Sequence, residues 1–362
     1  MSTARIHLIG GNAYSSTGGI QAVNRLLVRE LADAGELGRA YFLWDRPADI
    51  EATVPGLAQL GQVRGYGLRR HSFLRDIAWC ALRHRRDLWL CTHVNYASIG
   101  LAVNPGGWKR VGVLLHAAEL DDHFTLPKRM ALRRAGWLIA VSEFTKRKAI
   151  GLGADPARIH VVPNGVADAC PGWRPGPAPQ KPMVLFVGRM DERYKGQMDL
   201  LDAMTLLRDR HPDLRLVFVG SGRSLSDWQA EAHRRHLDDC VEFTGRVDDA
   251  GLARRYAAAT VFAMPSENEG FGLVYAEAMA HGVPCIGSDR DAAREVIRHG
   301  ETGYCVPAGN STALADAIAC IVKSPGLRAR MSVAARRRFQ EHFTLDCHRG
   351  RLLQTLRGCG AM

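Results

Sequence analysis

The chain has 362 residues, 46% of them hydrophobic and 23% charged, with a net charge of +11. That composition excludes a disordered, collagen-like or low-complexity chain, and the length suggests about two domains at roughly 150 residues each. No apolar run reaches the ~18–20 residues needed to span a bilayer, and the opening "MSTARIHLIGGNAYSS" lacks the apolar core of a signal peptide, so a cytoplasmic protein is expected.

In chain order, short apolar runs alternate with helical stretches almost from end to end. The strands of the first half are "RIHLIGG", "RAYFLW", "LWLCTHV", "RVGVLLH", "WLIAVS" and "IHVVPNG". The first runs into "SSTGGIQAVNRLLVREL", where Gly18 and Gly19 open a long amphipathic helix. Glycines there let a ligand approach the backbone and expose helix N-terminal amides to an anion, although a plain strand-to-helix turn also favours glycine. Further on, "SFLRDIAWCALRHRRD" places Phe73, Ile77 and Ala81 on one helical stripe and Leu74, Ala78 and Leu82 beside it. Arg75, Arg83, Arg85 and Arg86 sit around the edges. This suits an anionic membrane surface, and equally a core helix with a basic solvent face. His93 and His116 end two buried strands. Either alone fits a structural role, and two on one sheet edge point toward function.

The stretch "CPGWRPGPAPQKP", with five prolines and two glycines, cannot continue a helix or a central strand and reads as a linker. The strands beyond it are "MVLFVGR", "LRLVFVG", "VEFTG", "TVFAMPS", "PCIGSD" and "GYCVPA". Near-continuous apolar strands alternating with helices imply parallel, doubly wound sheets. The expected limits are an N-terminal domain over 1–168, a linker over 169–182 and a C-terminal domain over 183–343. A C-terminal helix over 344–362, set off by a break near Thr344, is expected to pack back on the first domain. Ligands of such sheets bind outside the carboxyl ends of the strands, here in a cleft between the domains.

In "VLFVGRMDERYKGQMDLLDAM", Arg189 falls just off a strand tip and Lys195 just before a helix. Two cations there suit a diphosphate, and a solvated pair beside Asp191 and Glu192 is the plainer alternative. "FVGSGRS" reads as a simple strand-to-helix turn, because Leu225 stands where a dinucleotide fingerprint needs glycine. "SENEGFGLVYAEAMAHGVP" carries Glu269 and Glu277 around a Gly-Phe-Gly turn, with loop chemistry first and helix chemistry after. Asp289-Arg290-Asp291 reads as a chance D-x-D, and no metal is expected. The nine cysteines are odd in number and lack a C-x-x-C pair, so reduced core cysteines are expected. The basic charge alone suggests nucleic acid, yet no binding module is recognisable and aromatics are only 7%, so none is expected as a partner.

Together these segments resemble the retaining GT-B glycosyltransferases, specifically glycosyltransferase family 4. The resemblance rests on "TGGIQAVNRLLVREL", "HAAEL", "AGWLIAVSEFTKRKAI", "IHVVPNGV", "VGRMDERYKGQ", "FTGRV", "PSENEGFGLVYAEAMAHGVPCIGSD" and "HGETGYCVPAGNSTALADAI", in that order. It implies an α/β GT-B fold of two Rossmann-like doubly wound domains facing a central cleft. By the same resemblance, Arg189 and Lys195 clamp the donor diphosphate and Glu269 faces the donor sugar. Phe271, Gly272 and Leu273 offer backbone amides, Glu277 binds the nucleotide ribose and Val247 lies beside the base. Gly19, with Gly18, approaches the phosphates, and His116 is the active-site histidine. The chain departs from the family at "HAAE", where the family has H-G-x-E, and at "RDAAREVI", where it has a Gly-Gly pair.

The implied reaction is retaining transfer of a hexose from a UDP- or GDP-linked donor, without metal, to a saccharide or lipid-linked saccharide in polysaccharide or glycolipid synthesis. A peripheral position at the inner face of the membrane goes with such an acceptor. A catalytically silent nucleotide-sugar binder or partner subunit of the same fold is the alternative, and a hydrolase, epimerase or phosphorylase of that fold is another. A carboxylate beside a diphosphate is repelled unless it faces hydroxyls. The two glutamates therefore read as a ruler for one nucleotide sugar, with Glu269 on the sugar and Glu277 on the ribose.

Overall fold

The computed structural model describes residues 5–56, 61–104, 107–121, 124–176, 181–191 and 193–360. Its backbone divides into two compact units, Met1–Asn164 with Arg349–Met362, and Gly165–His348.

Among the described residues, unit 1 holds seven strands: β1 (Ile6–Gly10), β2 (Leu37–Phe42), β3 (Val63–Gly65), β4 (Leu88–Cys91), β5 (Val111–Leu115), β6 (Trp137–Ala140) and β7 (Ile159–Val161). They pair in parallel in the order β3-β2-β1-β4-β5-β6-β7. β1, β4, β5 and β6 are buried at every residue, as strands covered on both faces must be. Helix Gly19–Asp33 turns Val23, Leu27 and Leu31 inward at the four-residue spacing of an apolar stripe. Helix Arg70–Arg83 separates its two predicted stripes: Phe73, Ile77 and Ala81 are buried, while Leu74 and Leu82 are exposed. The strand that the sequence does not announce is β3. It has three residues, lies at the sheet edge and carries an exposed Arg64 at its centre.

Unit 2 holds β8 (Met183–Val187), β9 (Arg215–Val219), β10 (Val241–Phe243), β11 (Val261–Met264), β12 (Cys285–Ser288) and β13 (Gly303–Val306). They are parallel in the order β10-β9-β8-β11-β12-β13. In both sheets the winding reverses once, between β1 and β4 in unit 1 and between β8 and β11 in unit 2. Loops that leave such neighbouring strands in opposite directions open a crevice at their carboxyl ends, where ligands of open α/β sheets bind.

The division falls at Asn164/Gly165, ahead of the Pro-rich stretch. Arg336, 3% exposed, explains why the following segment belongs with unit 2. Its guanidinium donates to both Asp168 carboxylate oxygens at 2.8 and 2.6 Å, to the Cys170 carbonyl at 2.9 Å, and to the Ala280 carbonyl. That bidentate grip holds the Asp168 carboxyl below its ordinary range. Trp173 packs where a Cβ on Gly282 would lie 2.2 Å from its ring. Of the proline-rich residues, 177–180 lie outside the described residues.

Helix Pro325–His342 is followed by helix Leu345–Gly360, with the break at Phe343 and Thr344. Arg349–Met362 groups with unit 1, where Arg357 pairs with Glu36 at 2.7 Å. All nine cysteines are free. Cys80, Cys91, Cys240, Cys285 and Cys359 are buried, but Cys320 is exposed, so the expectation of core cysteines holds only for part of them. Among the described residues no helix is long and apolar enough to cross a membrane.

Candidate active site

In unit 2 the two loops at the sheet's reversal meet. The loop after β8 ends at Gly196, whose φ of +83° is left-handed, and a Cβ there would lie 2.6 Å from the Pro265 carbonyl oxygen. Glycine alone allows that approach. It brings the turn Arg193–Lys195 against the loop after β11, where Glu267 N–H donates to the Tyr194 carbonyl at 2.9 Å. The result is an ion pair between Lys195 Nζ and Glu269 Oε2 at 3.0 Å, with both side chains largely buried. Two residues predicted to meet different parts of one donor thus face each other directly. Arg189 stands exposed at the β8 tip, and its carbonyl accepts from Gln197 Nε2 at 3.4 Å.

The loop after β11 ends at Gly272, φ +81°, where a Cβ would lie 2.3 Å from the Tyr275 ring. Helix Leu273–Ala280 starts there without a side-chain cap; the Tyr275 N–H turns back to the Gly272 carbonyl at 3.0 Å, and no capping side chain accepts from the amides before it. The Phe271 ring is buried and packs edge-on against Phe343 at 5.7 Å, which leaves the backbone of Phe271, Gly272 and Leu273 as the part able to meet a ligand.

About one turn into the helix, the half-buried Glu277 accepts a hydrogen bond from Tyr256 Oη on Oε2 at 2.8 Å. Burial pushes its carboxyl above the ordinary range and the Tyr256 bond opposes that. Tyr256 in turn stacks on His281, whose Nδ1 donates to the Glu277 carbonyl at 3.0 Å. Val247, half-buried, lies in the loop after β10, just before Asp248, which caps helix Asp249–Ala258.

Asp289 and Asp291 are not a pair. Asp289 Oδ1 accepts from Ala308 N–H at 3.4 Å, whereas Asp291 is 2% exposed and turned into the protein. Asp291 Oδ2 accepts from Ser266 Oγ at 2.5 Å and from Glu269 N–H at 2.9 Å, and its Oδ1 accepts from Ala293 N–H at 2.9 Å. Burial raises its carboxyl to about 6. Sequence reasoning met Asp291 only as part of a chance D-x-D and passed over Tyr256. The signal for Asp291 was an aspartate between a strand end and a short helix, where its side chain accepts from an amide two residues on. Tyr256 gave none, because its partner lies on another helix.

In unit 1 the loop after β1 is fastened by Asp45, which is fully buried and accepts from the N–H groups of Ala13, Tyr14 and Ser15 at 2.7, 3.1 and 2.8 Å. Asn24 and Gln21 reach back from the next helix to Asn12. Gly18, at φ 162°, is extended, a conformation open to any residue, and Gly19 is exposed at the helix start. His116 follows β5. Its Nε2 lies 3.0 Å from the Thr92 carbonyl oxygen, so Nε2 carries the proton and only Nδ1 remains for a ligand. Glu119 accepts from the His116 N–H at 2.7 Å, and the His93 ring stacks at 6.2 Å. Ala117, buried, has a left-handed φ of +79°. Gly18, Gly19 and His116 belong to unit 1 and the other predicted site residues to unit 2.

Two parallel doubly wound sheets, with a cation, two spaced glutamates and a glycine-led helix at one reversal, fit the GT-B class of glycosyltransferases that the sequence resembles. Residues 17–169 match Glycosyltransferase Family 4 and residues 173–338 match Glycosyl transferases group 1, and the chain belongs to this family. It is 40% identical over 202 residues to a phosphatidyl-myo-inositol mannosyltransferase of Mycobacterium leprae, covering 54% of this chain and 52% of that protein. The chain thus spans about half the length of the first such relatives. It is 30% identical over 282 residues, 72% of each chain, to a GDP-mannose-dependent alpha-(1-6)-phosphatidylinositol monomannoside mannosyltransferase of Mycolicibacterium smegmatis. Among solved structures, Anabaena HepE, crystallised with UDP, superposes with a TM-score of 0.80 at 20% identity over 98% of this chain and all of that one. Sucrose-phosphate synthase of Thermosynechococcus elongatus gives 0.82 at 22% identity over 99% of each.

Proposed function

We propose that the chain is a retaining glycosyltransferase that moves a hexose from a nucleotide-sugar donor to a lipid-linked acceptor in glycolipid synthesis. The observation that carries this reading is the Lys195–Glu269 ion pair at 3.0 Å, eight residues ahead of Glu277 on one loop-and-helix segment. When a donor enters, its diphosphate takes Lys195 and Arg189, and Glu269 turns to the sugar hydroxyls. Glu277, with one oxygen held by Tyr256, offers the other to the ribose. The amides at Gly272 and Leu273 and the two cations stabilise charge on the departing diphosphate. The sugar C1–O bond breaks, the acceptor oxygen bonds C1 on the same face, and the acceptor proton passes to the diphosphate. These cations supply the stabilisation a metal would, so the reaction proceeds in chelator.

The names of the relatives make GDP-mannose the first donor to test and phosphatidylinositol the first acceptor. Leu74, Trp79 and Leu82 on helix Arg70–Arg83 are exposed, and Arg83 lies over the Trp79 ring at 3.9 Å. An apolar strip edged by arginines supports contact with an anionic membrane surface. Nucleotide release is measured from UDP-, GDP- and ADP-sugars, with and without phosphatidylinositol vesicles, in EDTA. Release that requires vesicles supports the proposal. Binding without turnover points to the silent binder, and no binding at all overturns the reading. Flotation that is independent of anionic lipid removes the membrane contact.

A further inference from the structure

We infer that Asp291 is a positioning residue for Glu269: its buried carboxylate fixes the peptide that aims the Glu269 side chain. The inference rests on the reading of Glu269 given above. Both backbone groups of Glu269 are tied to one place. Its N–H donates to Asp291 Oδ2 at 2.9 Å, and its carbonyl accepts from Ala292 N–H at 3.2 Å. Ser266, three residues earlier and fully buried, donates its hydroxyl to the same Oδ2, while its carbonyl accepts from Ser288 Oγ. The loop between Ser266 and Glu269 is therefore stapled at both ends to the segment after β12, and one carboxylate makes both staples. The Glu269 side chain on that loop pairs with Lys195.

A core aspartate used only for packing would be expected in a form that costs little to bury. This one is costly to ionise, because burial raises it to about 6. Such a carboxyl binds protons more tightly in the folded chain than in the unfolded one, so its ionisation weakens the fold above about pH 6. That penalty fades as pH falls below 6 toward the ordinary range of an unfolded carboxylate. The three hydrogen bonds that Asp291 accepts oppose that cost, and two of them fall on the loop that carries Glu269. Protonated on Oδ2, Asp291 would reverse the Ser266 bond and weaken its hold on the Glu269 N–H; protonated on Oδ1, it would lose the bond from Ala293 N–H. The titratable groups that face it are Glu269 from its own loop, Tyr275 from the helix beyond and Cys305 from β13. Lys195 stands behind Glu269.

Asp291→Asn keeps the shape and removes the charge. A misplacement of about 1 Å at a reacting group costs about 10²-fold in rate. The variant should therefore lose about 30- to 100-fold in kcat with GDP-mannose, while calorimetric GDP binding stays within about twofold. Its acid limb of kcat near pH 6 should vanish, and the unfolding midpoint should lose the part of its pH dependence between about 4 and 6 that Asp291 contributes. In a Glu269→Gln background the same change should cost less than about threefold, since residues that act as a unit are not additive. Ser266→Ala, which removes one staple, is the milder second probe and should lose about three- to tenfold in kcat. Full additivity with Glu269→Gln, an unchanged acid limb, or GDP affinity falling in step with kcat would each overturn the inference. A wild-type chain that turns over no sugar donor sinks the glycosyltransferase reading instead, and leaves the GDP-binding and unfolding arms to report on Asp291 separately.

Discussion

The loop after β1 in unit 1 and the loop after β11 in unit 2 each leave a strand at the point where the winding reverses, from opposite sides of it, since β1 corresponds to β8 and β11 to β4. Each is fastened by one buried aspartate that accepts three hydrogen bonds. They differ in what the aspartate holds. Asp45 gathers three consecutive amides, so it sets the shape of a loop. Asp291 holds the amide of Glu269 itself and a hydroxyl three residues before it, so in the proposed site it sets the aim of the Glu269 side chain. A buried carboxylate is thus a general clamp, and the residue it clamps decides whether breaking it is felt in stability or in rate.

The sharpest way to break the comparison is at the load itself. Lys195→Ala removes the cation from the unit 2 loop and leaves Glu269 without this partner. Loss of one preorganised electrostatic contact costs about 10²–10³-fold in kcat. The drop is expected in single-turnover GDP-mannose assays with the circular dichroism spectrum unchanged, and a loss under about tenfold would remove Lys195 from the diphosphate. Asp45→Ala is the counterpart in unit 1. It strands three amides, two of them in buried residues, at a cost of about 3 kcal/mol. That is a fall of about 6–12 °C in the unfolding midpoint of unit 1. Activity per folded molecule below the new midpoint should fall far less than in Lys195→Ala, and the reverse pattern would erase the distinction.

A smaller effect sharpens the roles of the two glutamates. Glu277→Ala should raise the donor KM about 10- to 100-fold with kcat little changed, as for loss of uniform binding by a charged acceptor. Tyr256→Phe should raise it about three- to tenfold by removing one neutral donor. The sign with pH follows from the carboxyl. Glu277 accepts from hydroxyls fully only when ionised, and burial lifts its pKa above the ordinary range. Donor KM should therefore rise as pH falls through that raised value. In Tyr256→Phe the limb should move to higher pH, because the Tyr256 bond is what lowers it. A limb that stays in place would deny the coupling.

Twelve strands, the helix after Gly272 and the two glutamates were legible because each is a local pattern: an apolar run, a glycine at a turn, a spacing on one helix. β3 was not, since an edge strand of three residues with Arg64 at its centre has no run to display. Lys195 and Glu269 were each visible, but their contact spans 74 positions and depends on Gly196 pressing against Pro265. The roles of Asp45, Asp291 and Tyr256 stayed hidden for the same reason: each makes its decisive contacts with residues 21 to 32 positions away. A carboxylate that clamps amides looks, in sequence, like any polar residue after a strand.

The smallest expected effect lies beside His116. The family motif has glycine where this chain has Ala117, and the backbone there still takes the left-handed conformation, φ +79°. A side chain with a Cβ pays about 1–2 kcal/mol for it, against about 0.5–1 kcal/mol of extra chain entropy that glycine loses on folding. Ala117→Gly should therefore stabilise unit 1 by about 0.5–1 kcal/mol, roughly 1–4 °C. The strain persists because the segment is held from three directions: Glu119 accepts from His116 N–H, Leu120 N–H donates to the Ala117 carbonyl at 2.9 Å, and Lys148 Nζ donates to that same carbonyl at 3.1 Å. If those bonds alone fix the turn, the glycine variant gains stability and keeps its turnover. If instead the methyl group limits the turn's freedom near His116, turnover falls while the midpoint rises, and the exchange of glycine for alanine is then a feature of this chain's acceptor side.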